Sequence, residues 1–129
     1  MRQPFRFVMA ACAATLALAV SAGAAPVIYV NAATGNDANP GDNAGSPVAT
    51  IAQGITNVHA GGTVNIAAGT YNGAVVLSKQ VNLRGANADV SPITGTRGAE
   101  SVMTADAPVL DMQAGADGSI VNGIKFTGS

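Results

Sequence analysis

TVNIAAGTYNGAVVLSKQVNLRGANA, Thr63 to Ala88, decides the fold of this chain. It holds three short runs of β-formers: Thr63-Val64-Asn65-Ile66, Ala74-Val75-Val76-Leu77 and Val81-Asn82-Leu83. Branched aliphatic side chains fit a pleated, half-buried surface, so each run reads as a strand. Turn chemistry separates them: Gly69 with Asn72-Gly73, then Ser78-Lys79, then Gly85 with Asn87. Gly and Asn accept the positive φ of sharp turns. Val64 and Val81 stand 17 residues apart, with a strand and two turns between them. That spacing suits one lap of a coil whose strands stack on the lap below rather than on their neighbours in sequence.

Downstream the pattern resumes. Asp89 to Ala99 is rich in Pro, Gly and Thr and reads as a loop thrown out from one corner. Strand candidates follow at Ser101-Val102-Met103, at Val109-Leu110-Asp111-Met112, and at Ile120-Val121 running into Ile124-Lys125-Phe126. Steps of 21 residues from Val81 to Val102 and 22 from Val102 to Ile124 are of solenoid length. Which column the Val102 and Val109 strands join stays open. Asn65 and Asn82 share the middle position of their strands, where stacked amides would form a hydrogen-bonded ladder. Solvent-facing asparagines are the simpler alternative.

Upstream lies an address. Met1 to Arg6 is basic, Phe7 to Val20 is uncharged and apolar, and Ser21-Ala22-Gly23-Ala24 supplies small residues for a signal peptidase. Residues 1–24 read as a secretory signal peptide cleaved after Ala24, which makes the protein periplasmic or extracellular. The apolar run is shorter than the ~20 residues of a spanning helix, so no membrane span is expected after cleavage. Cys12, the only cysteine, falls inside it and too early for a lipoprotein site. The mature chain therefore depends on packing and backbone hydrogen bonds, without disulfides. Its four basic residues, Lys79, Arg84, Arg97 and Lys125, face seven acidic ones, a net charge of −3. That balance argues against nucleic acid, which wants clustered Lys and Arg.

Residues 25–62 precede the coils. Val27 to Asn31 is a strand candidate, and Thr34 to Pro47 is a loop of Gly, Asn, Asp and Pro. Asp37, Asn39 and Asp42 offer the hard oxygens that calcium takes. Asx-turns to their own backbone are the preferred reading, because no acidic residue closes a cage. Thr50-x-x-Gln53 has the form of a capping box. Ile51, Ile55 and Val58 then share one helical face, and Gly61-Gly62 ends a helix over about 51–59. Gly54 inside it costs about 1 kcal/mol against Ala, so packing must hold the helix. Such a helix covers the open end of a strand stack. His59, the only histidine, has no visible catalytic partner and takes a structural reading.

Tyr29 to Ser129 resembles the N-terminal part of a secreted right-handed parallel β-helix protein of the pectate-lyase-like superfamily. The resemblance rests on three stretches: YVN-x3-GND-x-N-x-G from Tyr29, SPVATIAQGI from Ser46, and GGTVNIAAGTYNGAVVLSKQVNLRGANA from Gly61. The last is similar to the opening coil of pectinesterase-like members, and GSIVNGIKFTGS from Gly118 to the coil after it. It implies that the groups performing chemistry in such enzymes lie on later coils, so none carries over to a residue here. The residues agree. Asp106, Asp111, Arg84 and Lys125 are each preferred as solvated charges. Arg84 and Lys125 on neighbouring coils would otherwise suit an acidic sugar. Tyr29 and Tyr71 are the only tyrosines and there is no tryptophan, a poor supply for sugar stacking. Tyr71 reads as structural, at a coil corner.

The 129 residues allow one domain. The expected fold is an all-β solenoid, a right-handed parallel β-helix of two to three coils with one short N-terminal capping α-helix. Its parts are a signal peptide over 1–24, a strand, loop and capping helix over 25–62, and coils over 63–129. The last coil reads as incomplete. The expected function is the exported cap and scaffold of a carbohydrate-interacting solenoid. No catalytic, cofactor-binding or metal-binding residue is assigned. A polysaccharide is the expected partner, with self-association or another protein at the open C-terminal coil. The rivals are the front of a polysaccharide lyase or pectinesterase-like enzyme, and an adhesin-type structural protein.

Overall fold

The computed structural model describes residues 25–106 and 108–128. The predicted signal peptide and Cys12 lie outside them. Nine strands and one helix follow in the order β1 (Ala25–Val30), α1 (Ile51–Asn57), β2 (Val58–Ile66), β3 (Gly69–Asn72), β4 (Val75–Leu77), β5 (Asn82–Arg84), β6 (Ser101–Ala105), β7 (Leu110–Met112), β8 (Ile120–Asn122) and β9 (Ile124–Gly128). They form three sheets, in the orders β1-β2-β5-β8, β3-β6-β9 and β4-β7. Every strand pair among them is parallel. Successive passes of the chain thus add one strand to each sheet in turn, a pattern compatible with a β-helix.

Side chains alternate faces along a strand, so parallel pairing stacks like on like. Ile28, Val64, Leu83 and Val121 occupy one rung position across the four-stranded sheet. The first three are buried completely or almost so, and Val121 packs against them. In the three-stranded sheet the corresponding column is Tyr71, Met103 and Phe126. In the two-stranded sheet, Leu110 lies under Val75 and Met112 under Leu77. Burial fades at the last pass, where Met112 is 52 %, Ile120 58 % and Phe126 44 % exposed.

The other end is closed. The loop after β1 turns back and pairs with that strand's outer edge. Tyr29 N–H donates to Gly41 O at 2.7 Å, Val48 N–H to Tyr29 O at 3.0 Å and Asn31 N–H to Val48 O at 2.9 Å. An edge that would present unpaired backbone groups is thereby covered. Helix α1 packs on β1, β2 and β4 and buries Ile51, Gly54 and Ile55. A Cβ on Gly54 would come within 2.7 Å of Val30 Cγ2, so the glycine allows the helix to lie close on the core.

Several expectations from sequence change. Helix α1 stops at Asn57, and Val58 is an extended residue that opens β2. Its N–H caps Gly54 O and its carbonyl accepts from Lys79 Nζ. Gly61 and Gly62 lie within β2, opposite an irregularity in register between Ala25 and Val27, rather than ending the helix. Gly69 to Asn72 forms strand β3 where a turn was expected. Glycines of positive φ at 69 and 73 bound it, but Tyr71 between them points into the core. The step from β2 to β5 is 19 residues, not 17, because Thr63 pairs with Asn82 and Val64 with Leu83. Asn65 therefore faces Arg84, and of the two readings of Asn65 and Asn82 the stacked-amide ladder does not form. Val81 leads into β5 of the four-stranded sheet while Val102 lies on β6 of the three-stranded one, so their spacing is no repeat. The structure assigns β6 to the three-stranded sheet and β7 to the two-stranded one.

Leu83 is the third member of the buried column and is fully enclosed. Leu83→Ala is expected to lower the free energy of unfolding in urea by about 2–5 kcal/mol. Ile55→Asp places a charge under the helix and is expected to convert a protease-resistant chain into a sensitive one. Unchanged proteolysis would contradict the capping role of α1.

Candidate functional site

The same alternation that buries one face of the four-stranded sheet displays the other. Tyr29, Asn65, Arg84 and Asn122 are aligned across β1, β2, β5 and β8. Neighbouring strands lie about 4.8 Å apart. The outer face thus carries a straight row of one aromatic ring, two carboxamides and one guanidinium. Tyr29, Asn65 and Arg84 line an open groove of about 380 Å³, together with Ala44, Pro47, Ala86 and Ala88. A second hollow of about 450 Å³ is larger, but is lined by Asn72, Gly73, Ala74, Thr104, Ala105 and Asp106. The groove is the better site, because it gathers more polar and aromatic side chains on a rigid sheet.

The turn after β5 sets one end of the groove. Asp89 Oδ2 accepts from Arg84 Nη2 at 2.6 Å, and Asp89 Oδ1 accepts from Asn122 Nδ2 at 2.8 Å. One carboxylate thus ties β5 to β8 on the outer face. The backbone at Asp89 is left-handed, with φ 69°, which Asp tolerates better than most residues. Buried Asn87 anchors this turn: Nδ2 donates to Gly98 O and Ala99 O, and Oδ1 accepts from Gly98 N. Gly123 lies beneath it, where a Cβ would come within 2.2 Å of Ala88 N. Ser101, also buried, closes the corner by accepting from Ala86 N–H and bonding the carbonyls of Ile66 and Ala67.

The loop carboxylates and amides that sequence offered to calcium hold protein atoms. Asp37 Oδ1 accepts from Ala49 N–H at 2.8 Å and Thr50 N–H at 2.9 Å, and Oδ2 accepts from the Thr50 hydroxyl at 2.9 Å. Asn39 Nδ2 donates to Pro47 O, and Asp42 accepts from Asn43 Nδ2. Half of the expected capping box forms. Gln53 N–H donates to Thr50 Oγ1, but the Gln53 amide turns to Asn57, and Asp37 supplies the reciprocal acceptor. Among the described residues no three His, Cys, Asp or Glu side chains gather as a metal set.

The remaining candidates are dispersed. Lys125 is on β9, paired with Val102, so it does not join Arg84 on one face. Asp111 is on β7 and accepts from Gln113 Nε2 at 3.1 Å, and exposed Asp106 follows β6. His59 is exposed, with Nδ1 2.7 Å from Ala60 O. Tyr71 is structural: its hydroxyl donates to Ala67 O at 2.8 Å and receives Ala32 N–H, and burial raises its pKa. Sequence reasoning did not single out Asp89. The one signal was an acidic residue in the turn five positions after Arg84.

Residues 33–121 match the family described as protein of unknown function (DUF1565). No curated protein and no solved structure matches the chain.

Slight desolvation acts to raise the pKa of exposed Asp37, but hydrogen bonds from Thr50 and Ala49 outweigh it and hold the carboxyl below its ordinary 3.8. A depressed carboxyl stabilises the fold above its unfolded pKa, and that contribution is lost as pH falls through the folded value. Asp37→Asn is therefore expected to be less stable than the parent near neutrality. The gap should shrink as pH drops below about 3.8, measured by urea unfolding across pH. A gap that stays constant with pH would contradict the capping role of the carboxylate.

Proposed function

The chain belongs to the DUF1565 family, and from that premise we propose that it is the exported cap and scaffold of a right-handed parallel β-helix of pectate-lyase-like type, with an outer sheet face that binds carbohydrate. The observation that carries this reading is the row Tyr29–Asn65–Arg84–Asn122, whose first three members line an open groove. Carboxamides and a guanidinium offer the directional donors that sugar hydroxyls accept, and amide oxygens take hydrogen bonds back. An aromatic ring contributes apolar area at small entropic cost. Groups repeating at the strand spacing match a repeating polymer better than a compact metabolite.

The architecture favours the same reading. DUF1565 is a family met in parallel β-helix proteins. The strands build rung upon rung beneath a closed edge, which is how a scaffold extends a binding face by adding coils. The role proposed is binding and support without a chemical step. Its acidic groups favour this: Asp111 belongs to the two-stranded sheet, while Asp89 beside the groove is engaged by Arg84 and Asn122.

Retention of the purified chain on immobilised plant and bacterial polysaccharides tests the proposal. At least one polysaccharide is expected to retain it. Tyr29→Ala should weaken that binding about tenfold by removing the ring from the row. Equal binding by Tyr29→Ala, or retention on none of the polymers, would contradict a carbohydrate role for this face.

A further inference from the structure

Arg84 is the one charged side chain among the described residues that line the groove. Taken alone it would invite an anionic sugar. It is, however, already engaged. Its Nη2 donates to Asp89 Oδ2 at 2.6 Å in a short charge-assisted hydrogen bond on the exposed face. The carboxylate is not a casual neighbour. Its other oxygen holds Asn122 on the next strand, and its backbone sits at φ 69°, a conformation uncommon outside glycine. The turn that carries it is fixed by buried Asn87 and by close contact with Gly123. Uncommon backbone geometry persists where the surroundings over-determine it, and it collects at functional sites.

Resting on the carbohydrate reading, we propose that Asp89 determines the charge preference of the groove. By neutralising Arg84 it makes the face select neutral, hydroxyl-rich saccharides and disfavour uronate-bearing ones. A uronate carboxylate approaching Arg84 finds the guanidinium already paired with Asp89. It must either displace a hydrogen-bonded partner or sit beside a like charge, and both cost affinity. A neutral sugar meets no such penalty. It finds a guanidinium held in place by Asp89, with N–H groups still available to its hydroxyls. Specificity of this kind comes from a repulsive element as much as from attractive ones.

Asp89→Asn isolates the charge. Asn tolerates the left-handed backbone and its amide oxygen still accepts from Asn122. Binding of neutral hexasaccharides of glucose, xylose, mannose and galactose is compared with binding of hexagalacturonate by calorimetry. The parent is expected to favour a neutral hexasaccharide. Asp89→Asn should raise hexagalacturonate affinity about fivefold, a gain that disappears in the double variant Asp89→Asn/Arg84→Gln and at high salt. A neutral saccharide that binds while Asp89→Asn leaves the neutral-to-acidic ratio unchanged would overturn the role of Asp89 alone. The same holds for a parent that prefers hexagalacturonate, or a gain that survives loss of Arg84. Binding of none of the saccharides by any variant would overturn the carbohydrate reading, and this proposal with it.

Discussion

One constraint governs this molecule: each pass of the chain must return an apolar side chain to the rung position beneath the last. Ile28, Val64, Leu83 and Val121 meet it in the four-stranded sheet. A slip of one residue in any strand would send its buried side chain to solvent and bring a polar one inside. The register is therefore fixed by burial rather than by short hairpin turns, which parallel strands lack. It also fixes the outer face, because residues one position along from the core column must stack as well. Tyr29, Asn65, Arg84 and Asn122 are aligned for that reason.

Everything else serves to hold that ladder closed and still. The loop after β1 satisfies the backbone of the first edge, and α1 covers the core behind it. Asp37 fastens the loop to the helix start across a dozen residues. Ser101 and Asn87 satisfy turn backbone at the corners, where the chain changes sheets. Among the described residues no buried side-chain nitrogen or oxygen lacks a partner. A face supported in this way presents its side chains at fixed spacing, and binding them costs little further ordering.

Much of the arrangement was legible in the sequence because alternation and turn residues are local signals. Strands near 64, 76, 83, 102, 110, 120 and 125 and the helix after Thr50 could all be read directly. Strand β3 was hidden because Gly-Thr-Tyr-Asn has the composition of a turn, and only its pairing with β6 keeps it extended. The observed register differs by two residues from the Val64–Val81 spacing because Val81 and Leu83 are both buried, so hydrophobicity alone does not choose between them. The row through Arg84 exists only in the observed register, since Asn65 set against Asn82 would leave Arg84 out of it. Asp37 and Asp89 were illegible for a related reason. Their partners are set by how loops fold back on the sheet, not by spacing along the chain.

The pairing of β2 with β5 is the most direct point of test, since both the core column and the outer row follow from it. Nuclear Overhauser contacts between backbone protons of the folded, isotope-labelled protein would report it. Short interstrand contacts linking Thr63 with Asn82 and Val64 with Leu83 are the expected result. Contacts linking Val64 with Val81 instead would contradict the register, break the row at Arg84, and remove the groove on which the functional reading stands.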